Sequence, residues 1–308
     1  MLKYLLKRII LMIATIAAIA VLVFFTVRLS PSDPIASITK GKTVSADTRQ
    51  ALIEQFHLDK SLSEQFIIWL NGMFHGDLGE SYQYRQSVSF LIKQRVSTTL
   101  GLAALATSIA FALSIPIGII SAVMQDSFID KALSVFALVF VASPTYLIAI
   151  AFMYIFALKL KMFPSIGTGT FRHLVLPASA MALNMVALSA RITRQSMIDE
   201  LQSAYMLTAN AKGLSKARAV LVHALRNALI PVITIASLQM GGMLIGAVLV
   251  ETVFAMGGLG DLLISSIRSS DYPVVQAITM LMVAIFMLLS LLVDILYAVI
   301  DPRVRNTA

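Results

Sequence analysis

The chain has 308 residues, of which 58% are hydrophobic and 13% charged, with a mean hydropathy of +0.86. So apolar a chain belongs in a bilayer and not in water. Its net charge of +8 could suggest nucleic acid. However, the cations gather at the ends of apolar runs and form no basic patch interleaved with aromatics, so that partner is excluded. No cysteine is present, which excludes disulfides, thiolate metal sites and cysteine nucleophiles.

A membrane-crossing helix needs about 20 mostly apolar residues, because each backbone polar group must be satisfied within it. Residues 9–27 are the first such run, preceded by Lys3, Lys7 and Arg8. This run is longer than the apolar core of a secretory signal, and Arg28-Leu29-Ser30-Pro31 lacks a small-x-small cleavage pattern, so a retained span is expected. Further runs cover 99–123, 132–158, 228–254 and 275–300. The run 174–190 is short and carries Pro177 and Asn184. The expectation is an all-α membrane protein with six spans, organised as a first span at 1–28, a helical segment at 29–98 and a five-span core at 99–308. Twelve Lys and Arg fall in the short segments on the side of the N-terminus and four in the short loops opposite. Both termini are therefore expected in the cytoplasm, with 29–98 outside.

Within 29–98, Ser61 and Glu64 have the spacing of a capping box, and Leu62, Phe66, Leu70 and Phe74 then stripe one helix face. Gly76-Asp77-Leu78-Gly79 ends that helix in a turn. A second stripe, Val88, Leu91, Ile92 and Val96, leads into the second span and either packs on the bundle or lies on lipid.

The segment 191–227 is too long for a tight connection and too regular for a linker. Its pattern predicts a helix over 197–212, a left-handed C′ residue at Gly213, an N-cap at Ser215 and a second helix to Asn227. Pro231 follows at the start of the fifth span, where it sets an entry angle or kink. The segment holds no clustered carboxylates, metal ligands or nucleophile–base pair. On the residues alone it is either a docking surface or a loop with nothing attached.

Several stretches resemble one family. Ala204-Tyr205, Ala209-Asn210-Ala211-Lys212-Gly213-Leu214 and His223-Ala224-Leu225-Arg226-Asn227 through Pro231 are similar to the "EAA" loop of the permease subunits of ATP-binding-cassette importers for dipeptides, oligopeptides and nickel. Gly76-Asp77-Leu78-Gly79-Glu80-Ser81 looks similar to the same family. So do Ala190 to Arg194 with Ser196 and Met197, Glu251 to Phe254 with Gly258 and Gly260, Asp271 to Gln276, and Asp301-Pro302-Arg303. The turn Gly257-Gly258-Leu259-Gly260 departs from the family's usual Pro-Gly-Leu-Gly.

The resemblance covers nearly the whole chain and implies a type I importer permease of the bacterial cytoplasmic (inner) membrane. It further implies pairing with a second permease, two ATPase subunits and an extracytoplasmic solute-binding protein, with membrane lipid around the spans. Uptake of di- or oligopeptides by ATP-driven alternating access is expected, with nickel or a metal chelate as the alternative cargo. A self-sufficient secondary transporter would need coupling-ion sites or an inverted repeat, which the sequence does not display.

The resemblance places the ATPase-coupling role on Tyr205, Ala209, Ala211, Lys212, Gly213, Leu214, His223, Arg226 and Asn227. It points to Gly76, Asp77, Gly79, Ser81, Asp271 and Tyr272 for docking of the binding protein. Pathway or gate candidates are Asn184, Gln239, Gly242, Glu251 and Asp294. Of these, Asp294 either serves function inside the sixth span or pairs with Arg191 or Arg194, and Glu251 either faces the pathway or the binding protein or is a solvated helix end. No catalytic residue is expected, and no cofactor on this chain, with ATP and Mg on the partner ATPases. Gly41-Lys42-Thr43 is not a phosphate-binding loop, because Ala36 stands where that pattern needs glycine. The histidines His57, His75, His173 and His223 show no metal-ligand spacing.

Overall fold

The computed structural model describes residues 2–29, 34–39, 43–211 and 213–300. Lys42, Lys212 and Asp301 to Arg303 lie outside the described residues, as do the side chains of Ala209, Ala211 and Asp294. The described chain is helical. In order it forms α1 (Leu2–Arg28), α2 (Pro34–Ile38), α3 (Ala46–Gln55), α4 (Leu62–Phe74), α5 (Val88–Val123), α6 (Phe128–Ala142), α7 (Thr145–Phe152), α8 (Phe171–Leu201), α9 (Ala204–Ala211), α10 (Lys216–Arg218), α11 (Leu225–Val253), α12 (Leu259–Arg268) and α13 (Tyr272–Ile300). Two π-helical segments extend this set, Met153–Lys159 after α7 and Ala219–Ala224 between α10 and α11.

Among the described residues four helices are long and apolar enough to cross a bilayer, namely Leu6–Arg28, Val88–Val123, Phe171–Leu201 and Tyr272–Val293. The expected span 132–158 is not one straight helix: α6 and the α7 rod meet at 106°. The cause is local. Pro144 has no N–H to donate, and it holds Ser143 in an extended conformation at φ −86° and ψ 128°. The carbonyls freed at the end of α6 are met by Asn184 of α8, whose Nδ2 donates to Phe140 O at 3.0 Å. In hydrocarbon such a break is tolerated only with a substitute donor of this kind.

The chain folds as two compact units, Met1–Thr99 with Gly257–Leu288 and Leu100–Met256 with Leu289–Ala308. In the first, the capping box at Ser61 and Glu64 forms on both sides. Two hydrogen bonds from Ser61 also hold the Glu64 carboxyl below its usual range. The face of α4 that packs is rotated from the expected stripe. Gln65 is buried, and Phe66 and Trp69 meet Phe24 of α1 at ring centroids of 5.3 and 5.5 Å. Leu62 and Phe74 are exposed. Val88 and Leu91 are buried with Leu259 and Leu262 of α12 and Val274 and Ile278 of α13, so the stripe opening α5 packs on protein. Helix α12 has no counterpart among the elements expected from the sequence. Its apolar residues Leu259, Leu262 and Leu263 follow helical spacing, and Leu259 N donates to Thr99 Oγ1 at 2.9 Å.

In the second unit α8 is the central helix. Ala178, Ala180, Ala182, Ala187 and Ala190 are buried along it, small enough to admit neighbouring backbones. The closest approach is to α5, where a Cβ built on Gly118 would stand 2.4 Å from Thr193 Cβ and 2.8 Å from Ala190 O. Only glycine fits there.

Candidate coupling loop, cavity and loop knot

The segment 191–227 differs from the hairpin that its pattern predicts. Helix α8 runs on to Leu201, where the N–H of Gln202 reaches back to Ile198 and Glu200, and α9 starts anew at Ala204. The second helix does not end at Asn227. From Lys216 the chain is helical without interruption through Ala219–Ala224 into α11. Gly213 between the two arms has φ +78°. This left-handed conformation favours glycine.

Three side chains tie the arms together. Tyr205 of α9 donates its hydroxyl to Glu200 Oε2 at the end of α8. Asn227 Nδ2 of α11 reaches Tyr205 Oη at 3.3 Å and Glu200 Oε2 at 3.4 Å. Partial burial first, and then the Glu200 carboxylate, push the Tyr205 phenol up from its usual value. Beneath this triangle Met197, Ile198, Met206, Ala219, Ala224 and Ala228 form a small buried core. The outer surface carries His223 and Arg226, both exposed, with Leu214 half-buried. Leu221 and Val222 are more than half exposed beside them. Neither Leu221 nor Val222 is among the residues that the resemblance marks. Their exposure depends on the π-helical winding of Ala219–Ala224, which shifts the faces that an α-helix would present.

A second feature that sequence reasoning missed lies near the same end of α8. Asp130 in the first turn of α6 is 2% exposed. Its oxygens accept from Arg194 Nε at 2.6 Å and Nη2 at 2.7 Å, from Asp126 N at 2.9 Å and from the Ser121 hydroxyl. One carboxylate thus binds the end of α5, the turn after it, α6 and α8. The N-cap spacing from Ser127 to Asp130 was the available signal. Arg194, a possible partner for Asp294 on sequence grounds, is engaged by Asp130.

A cavity of ≈ 230 Å³ is lined by Thr145, Met181, Asn184, Gln239, Gly242 and Gly246, among others. It gathers three of the pathway candidates. Two of them also hold helices together: Asn184 serves the α6 break, and Gln239 Nε2 donates to Ser189 Oγ at 3.0 Å. Gly242 and Gly246 are open, with nothing within 4 Å of a built Cβ, and Ile245 beside them is 72% exposed. Glu251 is fully buried, which corrects the solvated helix-end reading. Phe254 and Met256 fold under the end of α11, and Met256 N donates to Glu251 O at 3.0 Å.

In the first unit, Gly76 and Gly79 take φ of +78° and +81°, and Asp77 accepts from Gly79 N at 2.9 Å. Gly76, Asp77 and Gly79 are exposed, whereas Ser81, Asp271 and Tyr272 are buried. The last three therefore build the loop and offer no surface for a partner. Asp271 accepts from the Ser81 hydroxyl and from the N–H groups of Tyr82 and Gln83 at 3.1 Å each. Burial pushes the neighbouring Tyr82 phenol up to about 12.

This arrangement has counterparts in known proteins. The chain is similar over all of its length to a putative peptide permease protein of Brucella suis biovar 1, with 38% identity and full coverage of both. It is 39% identical to the glutathione transport system permease protein GsiC of Pectobacterium atrosepticum, over 99% of each. Among solved structures it resembles a chain of the MetNI methionine ABC transporter in inward-facing conformations. That likeness has a TM-score of 0.59 and 17% identity, and it covers 69% of this chain and 97% of that one. An amino acid ABC transporter solved with histidines gives a TM-score of 0.52 at 19% identity, covering 67% of this chain and 92% of that one. These two show a shared fold. Residues 114–306 match the family described as binding-protein-dependent transport system inner membrane component, and residues 1–103 match its N-terminal companion. The chain belongs to that family and is a multi-pass permease of the inner membrane, the membrane component of an ATP-binding-cassette importer.

Proposed function

We propose that this chain pairs with a second permease to form the pathway for uptake of short peptides, driven by two ATPase subunits that dock on 191–227. The observation that carries the cargo is the full-length similarity to permeases named for peptide and for glutathione, itself a small peptide. The nickel alternative drew only on motifs common to the wider family, and these relatives do not favour it. Six spans rest on the apolar runs and the cytoplasmic placement of both termini on the charge bias, with α11 as the fifth span and the bent α6–α7 pair as the third.

Docking of the ATPases is supported by the exposed apolar pair Leu221 and Val222 flanked by His223 and Arg226, a mixed surface of the kind that recognises a groove. ATP hydrolysis belongs to those partners. The open face at Gly242, Ile245 and Gly246 suits the second permease, since small residues admit a close helix. The exposed turn Gly76–Gly79 is where the binding protein would engage. Alternating access then requires that the loop make different contacts with the ATPases in each state.

The reading is tested by reconstituting the assembled complex with its binding protein in proteoliposomes. ATP-dependent accumulation of glutathione or another short peptide is expected. Uptake by this chain without ATPases, or accumulation of nickel and no peptide, would overturn it. Within the same assay, Gly213→Val should lower uptake about tenfold while membrane insertion stays intact. At φ +78° with open space around the Cβ, the cost is backbone strain alone, roughly 1–2 kcal/mol for a β-branched residue. Unchanged uptake and unchanged ATPase co-purification would count against this hinge.

A further inference from the structure

A cavity of ≈ 300 Å³ lies in the first unit among the end of α1, helix α4, the 76–82 loop and the start of α13. Its size is at the lower end of the range for small-ligand pockets. Three buried polar atoms belong to its lining residues: Arg28 Nε, Gln65 Oε1 and Gln276 Nε2. None has a hydrogen-bond partner among the described residues. Gln276 is 2% and Gln65 7% exposed, and a polar group left unsatisfied at that depth carries a desolvation penalty. Gln65 is moreover fixed in place, because its Nε2 donates to Lys60 O at 2.8 Å. Two donors and one acceptor therefore belong to one concavity, and the carboxylates of Asp77 and Glu80, both exposed, line the same space.

We propose that this cavity holds the headgroup of a zwitterionic phospholipid, its phosphate taken by Arg28 and Gln276 and its ammonium by Gln65, Asp77 and Glu80. A phosphate accepts only and an ammonium donates only, which matches the division of donors from acceptors among these residues. The lipid source follows from position. Arg28 is the last residue of a helix that can cross the membrane, so its charge stands at headgroup level. Helix α4 also lines the cavity and exposes apolar side chains, Ile67 at 64% and Phe74 at 82%. Ile68 both lines the cavity and is 37% exposed, offering an acyl chain a path out beside Trp69. Water would satisfy the three polar atoms but would leave that apolar face without a role, and a soluble zwitterion would make no use of it.

The test is native mass spectrometry of the assembled, purified transporter from membranes containing both phosphatidylethanolamine and phosphatidylglycerol. One phosphatidylethanolamine retained per copy of this chain, in preference to phosphatidylglycerol, is expected. Gln276→Glu keeps the side-chain shape but sets a carboxylate against the phosphate, and it should lower retention roughly tenfold or more without changing assembly. Gln65→Met reads the same site from α4 in case α13 does not tolerate its change, and it should also lose the lipid. No retained lipid, equal retention of both lipids, or retention indifferent to both variants would overturn the proposal. Delipidated transporter supplies the second arm. Free phosphoethanolamine should compete with phosphatidylethanolamine, whereas thermal stabilisation by glycylglycine with no lipid effect would refute the lipid source.

Discussion

Arg194→Ala is expected to destabilise the protein by about 3–5 kcal/mol, the cost of leaving a buried carboxylate without its cation. Asp130 is too deep to recover its hydration, being 2% exposed, and Arg194 supplies two of the four donors it uses. The signal is an early thermal transition in detergent and reduced abundance in the membrane. Arg194→Lys keeps the charge but loses the fork that meets both oxygens, and should fall between. Replacing Asp130 and Arg194 together by leucines should be milder than Arg194→Ala, since no charge is then stranded. If the single variant unfolds like the wild type, the ion pair does not hold these helices.

Asp271→Ala should be the second most damaging substitution, and its effect is confined to the first unit. The aspartate satisfies the Ser81 hydroxyl and two backbone N–H groups in a fully buried place. Orphaning three donors costs about 3 kcal/mol or more. Limited proteolysis should then cut within 76–88, and binding-protein-dependent uptake should drop although the chain still inserts. Wild-type resistance to protease in that loop would show that Tyr82, which packs on Phe56 and Tyr272, holds it without the aspartate.

Four spans and the bent α6–α7 pair were legible, because hydropathy sums a signal over about 20 residues and no single side chain decides it. Register and partnership are not sums. The α4 stripe at Leu62, Phe66, Leu70 and Phe74 named the right helix and only part of the face, because Phe66 and Trp69 meet Phe24 of α1 while Leu62 and Phe74 are exposed. Pro144 was visible in the chain, but whether it ends a span or merely kinks it depends on Asn184, 40 residues on in another helix. The Asp130–Arg194 pair is 64 residues apart and the Asp271 bonds span about 190, distances at which one sequence carries no pairing information. The helix–Gly213–helix pattern of 191–227 was legible in the sequence, and the lateral exposure of Leu221 and Val222 was not, since it depends on the wide winding of one turn.

That turn has a mechanical consequence. With no break from Lys216 to Val253, a load applied at Leu221 reaches Gly246 through a single rod about 37 Å long, at 1.5 Å per residue. Pivoted near the loaded end, such a rod moves its far contacts by about 3 Å for every 5° of tilt. For the docking proposed at Leu221 and Val222 the stroke needed is then small, and stiffness, more than reach, is what this helix has to supply.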